Sequence, residues 1–569
     1  MVKSILCFMA LTVGMIATAQ EDNQIESTEF IVEKDKELIL PKVQRLFEPI
    51  KFDLGQDNDE VQNFIVEDVP LKSYPYNPSI EPQSLEMKMI EKTFNNYLKM
   101  GFGRYNAPVF SYQFKTLNER GPNAGTNIDY ETYQSGPVLD ELSAQTKGSL
   151  SLWYFNPTNN GHFSSFFKYG FNQYYNFGTL EELLTSPTFD SSLDNFERQE
   201  NQFDIGVNYD IIVPSKSQLS LSPSWHYTSQ NKNLNSDDNT KVGLENDFNI
   251  DVKIDHFSQN IWTVDFDAFA AFSQFTNSQN INLNRFWIYG HPNATAQFGA
   301  LSLSAGAKIG IYQDVERELS FLAIPDLEAI YKTSSDLAIY ARLDGDIIRN
   351  DFRSITNLNP HLTDSLVLAT SVIPIRLKIG SKGYLIPRFQ YDISLSLKLL
   401  QNQVYFRNNR SDPSVFELIY DPENSYRLDY ETAFNYQLNH QLALLTSINF
   451  VSIENQGRVE PWYVPKLSYD LGISIKLLND VLQLKPSFIL LDGILAPDFG
   501  DLNMLIDSAR VNVITLPTVL DLGMDVDFKI NSKLNAFLKM RNLLGRENQI
   551  YYLYNSRVYD IKGGLSVRF

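Results

Sequence analysis

One stretch of this sequence sets a nucleophile beside a base. In the run 219–227, Ser220, Ser222, Ser224 and His226 alternate with Leu219, Leu221, Trp225 and Tyr227. On an extended strand successive side chains point to opposite faces, so the serines and the histidine share one face. A serine hydroxyl within reach of an imidazole is the beginning of nucleophilic catalysis. Two residues do not make a site, however, and any strand with one wet face and one greasy face produces the same row. The row is therefore read as a polar lining, and no enzyme is expected.

The remaining chemistry-bearing residues support that reading. The six histidines are His162, His226, His256, His291, His361 and His440, and none forms the HExxH spacing that puts two zinc ligands on one helical face. His256 and His440 fall in expected turns. No Gly-Lys-Ser or Gly-Lys-Thr is present to complete a phosphate-cradling loop. The only cysteine, Cys7, lies in an expected leader, so disulfides, thiolate zinc sites and cysteine nucleophiles are excluded from the mature chain. Neither a metal nor a cofactor is expected. Asp265, Asp267, Asp521, Asp525 and Asp527 form acidic rows, but interleaved Lys529, Lys539 and Arg541 point to a wall of paired charges rather than a cation site. Trp153, Trp225, Trp262, Trp287 and Trp462 lie on or beside strands, as in interfacial girdles; sugar stacking is the alternative.

The elements that must position these residues are strands. From Tyr97 onward the dominant period is two. Leu520, Leu522, Met524, Val526 and Phe528 alternate with Asp521, Gly523, Asp525, Asp527 and Lys529, and Leu467, Tyr469, Leu471, Ile473 and Ile475 alternate with Lys466, Ser468, Asp470, Gly472, Ser474 and Lys476. Runs of about ten residues with one apolar face match a tilted crossing of a bilayer by a strand. Aromatic residues make up 13% of the chain, with 38 Phe and 30 Tyr, yet the mean hydropathy is −0.24, which suits half-greasy strands. Lys plus Arg number 48 against 68 Asp plus Glu, a net charge of −20, so nucleic acid is not an expected partner.

Residues 1–19 carry Lys3, an apolar stretch at 5–16 and the small-residue site Ala17-Thr18-Ala19, the pattern of a signal peptide. Residues 20–95 are acidic and punctuated by proline, and are expected to form an extended N-terminal arm, facing the periplasm or filling a lumen. Residues 96–569 are expected to form an all-β fold, a closed antiparallel transmembrane β-barrel. Short turns are expected at 121–123, 158–160, 214–216, 256–258, 298–299, 334–335, 381–383, 439–440, 479–480 and 531–532. With one strand before them (97–105) and one after (560–569), they give about 22 strands, and not fewer than about 16. Longer polar stretches at 185–195, 344–364, 402–424 and 493–508 alternate with the turns, as extracellular loops alternate with periplasmic turns.

The last strand places Ile561, Gly563, Leu565, Val567 and Phe569 on one face and ends at Phe569. Leu565, Val567 and Phe569 look like the terminal signal read by the barrel-assembly machinery. Together with Arg541-Asn542-Leu543-Leu544, the cluster Tyr551-Tyr552-Leu553-Tyr554, Asn359-Pro360-His361-Leu362, the run Pro461 to Leu467 and the opening Lys99 to Tyr105, the chain resembles TonB-dependent receptors, particularly the plug-less, receptor-like barrels of Bacteroidota. The resemblance spans about residues 97–569. It departs from the family in that residues 20–95 are too few for the plug that such transporters carry. Glu29, Phe30, Ile31 and Val32 resemble the short TonB box of these receptors. The resemblance implies a protein of the cell outer membrane concerned with substrate uptake or passage. Its expected partners are outer-membrane lipid, the barrel-assembly machinery, and TonB or another surface protein. The alternative is a non-transporting scaffold or accessory subunit that binds a partner through its extracellular loops.

Overall fold

The computed structural model describes residues 94–569 apart from 119–120, 138–139, 179–195, 214–216, 233–239, 257–260, 315–318, 457–458 and 499–511. The expected leader 1–19, the arm apart from its last two residues, and Glu29, Phe30, Ile31 and Val32 lie outside the described residues.

Twenty-two strands form one antiparallel sheet in chain order. The first, β1 (Asn96–Gly103), pairs with the last, β26 (Asp560–Arg568), and closes the ring. Closure is what the alternation demands: a sheet with an apolar outer face has no water there to satisfy an open edge, and only a ring pairs every strand. The outer face carries the apolar set, for example Phe248, Ile250 and Ile254 on β8 (Thr240–His256) and Ile375, Leu377 and Ile379 on β14 (Ser371–Ile386), all among the exposed large hydrophobics. Among the described residues no helix is long and apolar enough to cross a membrane.

Short connections gather at one end of the barrel and long ones at the other. The strands end and begin where the short turns were expected, with one exception. Residues 381–383 lie inside β14, and the chain reverses at Pro387-Arg388 before β15 (Phe389–Gln401). Proline presets the first turn position, and Arg388 has φ 74°. Gly383 is needed for a different reason, since a Cβ there would strike the carbonyl of Asp336 on the neighbouring chain segment. The loop expected at 344–364 also shifts, because Asp344 to Ile348 complete β13 (Leu337–Ile348) and the connection runs from 349 to 370. Asp344 and Asp346 read as loop residues by composition, but inside the barrel Arg376 holds Asp344 through two bonds of 2.5 and 2.7 Å and Lys308 holds Asp346 at 3.0 Å.

The wall is uneven in height. Strands β5 (Gly161–Tyr175), β6 (Glu197–Val213), β7 (Ser217–Lys232), β8, β9 (Trp262–Asn277) and β10 (Asn282–Phe298) have 15 to 17 residues. Around the closure β25 (Leu534–Arg541), β26, β1 and β2 (Val109–Lys115) have 7 to 9. There Phe537 of β25 covers Gly564 of β26 and Gly101 of β1, where any Cβ would meet its ring. The Lys99 ammonium lies 4.5 Å from the same ring.

Candidate functional site

At the long-loop end a strap, residues 349–370 between β13 and β14, folds against the inner face of the tall side of the wall. A short helix, α1 (Phe352–Leu358), starts at Asp351, whose carboxylate accepts the Ser354 N–H at 2.9 Å. Its apolar side enters a core of Phe275, Leu283, Phe352, Ile355, Leu362, Leu366 and Leu368. The Phe275 and Phe352 rings lie 5.1 Å apart.

Charges then latch the strap to the wall. Arg285 on β10 is fully buried; its Nη2 donates to Glu245 on β8 at 3.0 Å and its Nη1 donates to the Arg349 carbonyl at 2.7 Å. Glu245 also accepts from Ser273 on β9 and from the Phe352 backbone N–H, each at 2.5 Å. Arg349 donates to Asp247 at 3.2 Å and to Asn249 at 2.7 Å. Arg353 pairs with Asp204 on β6 and donates to Thr228 on β7 at 3.1 Å. Thr356 donates to Glu200 at 2.9 Å. Buried ions of this kind are stable only when every partner is present, so the strap and the acidic row on β6 and β8 complete each other.

Among the described residues, further loops pack beside the strap. They include the hairpin of β16 (Gln403–Asn408) and β17 (Phe416–Asp421), and that of β22 (Leu495–Pro497) and β23 (Val513–Thr515). Tyr405, Phe416, Trp462, Tyr463, Ile494, Leu516 and Tyr554 pack into a second core. The strap joins it as well: Phe416 N–H donates to the His361 carbonyl at 2.8 Å and Thr363 N–H to the Phe416 carbonyl at 2.9 Å. His361 stacks on Tyr554 with ring centres 3.8 Å apart and meets Tyr174 edge-on at 5.4 Å. Desolvation among these rings, with the nearby Arg198 charge, pushes its pKa down to about 3, so the imidazole is neutral. Burial pushes the Tyr463, Tyr551 and Tyr554 hydroxyls up. A cavity of about 490 Å³ lies beside this cluster, lined by His361, Tyr551 and Tyr554 together with Arg541, Arg557 and Asp521.

Residues singled out in the sequence divide between these features. His226 and Ser224 do come together, and their geometry is taken up below. The acidic rows are largely paired: Asp525 with Arg541 at 2.5 Å, Asp527 with Lys485 at 3.2 Å, and Asp267 with His291 at 3.7 Å. The tryptophans split. Trp225 and Trp262 face outward as a girdle requires, but Trp287 is buried, donating its indole N–H to Thr370 at 3.1 Å beside the strap, and Trp462 sits in the loop core. Leu565 and Phe569 are exposed on the outer face of the closing seam, with Val567 between them on the same face. Sequence reasoning missed the latch, since its partners lie 28 to 156 residues apart. The one local signal was Asp351 standing as a cap before Phe352-Arg353-Ser354.

A closed antiparallel ring of this strand number, with short turns at one end and packed loops at the other, is the architecture of large outer-membrane barrels. No protein-family model matches the sequence, and no curated protein matches it. Solved structures do match in fold. The FrpB iron transporter from Neisseria meningitidis aligns with a TM-score of 0.66 and 10% identity over 84% of this chain and 82% of that one. The pyoverdine outer membrane receptor FpvA from Pseudomonas aeruginosa PAO1 gives 0.63 and 12% over 84% and 78%. The siderophore receptor PirA from Acinetobacter baumannii gives 0.64 and 8% over 83% and 80%. At such identities the likeness is one of fold.

Proposed function

We propose that this chain is a receptor-like barrel of the bacterial outer membrane that admits a substrate through its lumen, with the strap as the surface-side gate. In this reading the long-loop end faces the medium and the short-turn end the periplasm. The observation that carries it is the latch: a segment held to the inner wall by side-chain ion pairs and hydrogen bonds can leave without dismantling the barrel wall. The likeness in fold to iron and siderophore receptors supports the same reading. The protein is a plug-less member of this architecture in our proposal, and residues 20–95 fill the lumen passively from the periplasmic side. Leu565, Val567 and Phe569 serve as the assembly signal.

Replacing residues 352–368 by a short Gly/Ser linker tests the gate. Permeation of a small charged dye into liposomes carrying the variant should rise severalfold over the parent barrel. Unchanged permeation with intact barrels would favour the scaffold reading, in which the packed loops bind a partner. Removing residues 20–95 should likewise raise conductance. Deleting Glu29 to Val32 alone should change nothing; loss of an energy-dependent uptake phenotype at unchanged barrel levels would instead assign those four residues to TonB coupling.

A further inference from the structure

We propose that Ser224, His226 and Asp204 form a hydrolytic site for short-chain carboxylic esters on the lumen wall, an activity separate from passage. The serine and histidine of the polar row acquire a third member that no sequence spacing announces. His226 of β7 and Asp204 of β6 are direct cross-strand partners. Ser224 Oγ lies 3.0 Å from His226 Nε2, and His226 Nδ1 lies 2.6 Å from Asp204 Oδ1. With Asp204 accepting from Nδ1–H, Nε2 carries the lone pair that faces the serine hydroxyl, which is the arrangement of nucleophile, base and orienting carboxylate. The His226 side chain is 29% exposed, so lumen water reaches it.

Strand register sets two different neighbours on the face that carries Ser224. On one side its register partner is Gly206, and the Phe166 ring occupies the space that a side chain there would fill, offering an apolar rest for an acyl chain. On the other side its partner is Asn249, to which Arg349 donates at 2.7 Å. Asn249 Nδ2 in turn donates to Asp247 at 2.8 Å and Arg349 also pairs with Asp247, so one closed polar network flanks the serine on this side.

The chemistry balances with water as the only co-reactant. Ser224 Oγ attacks the ester carbonyl carbon while its proton passes to His226 Nε2. The bond to the leaving alcohol oxygen breaks, and His226 returns the proton to that alcohol, leaving an acyl ester on Ser224. Water then attacks the acyl carbon, giving one proton to Nε2; the bond to Oγ breaks and takes that proton, releasing the carboxylic acid. Asp204 acts as a positioning residue through the imidazole, and Arg353 of the strap also pairs with it.

The full-length barrel, reconstituted and shown folded by heat-modifiable migration, is treated with a fluorophosphonate probe and, separately, with p-nitrophenyl butyrate. Folded parent should be labelled and should release nitrophenol. Ser224→Ala should lose both, His226→Gln should lower both at least tenfold, and Ser222→Ala, altering the neighbouring serine of the same row, should keep both. Asp204→Asn should lower labelling, with partial rescue by Asp204→Glu. Mass spectrometry of the labelled parent should find the adduct on Ser224, a readout that does not depend on any variant folding. Unreactive folded parent, an adduct on another residue, or labelling that survives Ser224→Ala would overturn the proposal.

Discussion

On the side of the barrel formed by β5 to β10 the strands run 15 to 17 residues and rise around the strap, whereas at the closure β25, β26, β1 and β2 have only 7 to 9. The tall side holds its contents with ion pairs: the buried Arg285 with Glu245, and the partly exposed Arg349 with Asp247 and Arg353 with Asp204. The short side holds itself with shape, one phenylalanine laid across two glycines and a lysine over the ring. Ion pairs are directional and fail when one partner is removed, which suits a part that docks and undocks. Close-packed backbone and ring contacts have no alternative arrangement, which suits a joint that forms once.

The largest effect should come from the joint. In Gly564→Val the new Cβ would strike the Met100 carbonyl of β1, and neither backbone can yield without breaking the closing ladder. Folded, heat-modifiable barrel should fall to a small fraction of the parent. If yield is unchanged, closure does not depend on this approach.

Breaking the latch should leave the barrel standing. Arg285→Met strands Glu245 as an unpaired buried carboxylate, a loss of about 3–5 kcal/mol in strap docking. Proteolysis within 349–370 should accelerate while heat-modifiable migration is preserved. A variant that unfolds the whole barrel would erase the contrast between the two sides.

Mild acid, down to about pH 5, should loosen the same strap by a smaller amount, about 2 kcal/mol. Docked His361 titrates at about 3, well below the ordinary histidine value of 6.5, so the undocked strap binds the extra proton between those limits. Docking is therefore at full strength above about pH 6.5 and weakens by up to about 1.4 kcal/mol for each unit below it, until pH nears 3. Proteolytic exposure of the strap should rise over that window, and His361→Gln should flatten the rise.

The smallest effect is expected at Lys485 and Asp527, a lumen pair in which both side chains are nearly half exposed. Lys485→Ala should change stability by less than about 1 kcal/mol, read from the thermal midpoint of barrel unfolding. A larger change would mean that the lumen wall depends on its charges as the latch does.

Much of this architecture was legible along the chain because strand alternation is local. The apolar face of residues 519–529 and the turn residues at 479–480 and 531–532 need no distant partner to declare themselves, and counting turns gave the strand number. The exceptions were places where a neighbour chose the conformation. Residues 381–383 look like a turn, but Gly383 answers to the backbone at Asp336. Asp344 and Asp346 look like loop, but Arg376 and Lys308 make them wall. The strap, its latch and the aromatic cap could not be read at all. Glu245 meets Arg285 only across β9 in the assembled sheet, and meets Phe352 only where the 349–370 segment turns inward. The serine–histidine row marks the division most plainly: two members share a strand and were visible from their spacing, while Asp204 stands 22 residues away from His226. A period of two determines which face a side chain takes; which groups meet across that face is decided by strand register, and register belongs to the folded barrel.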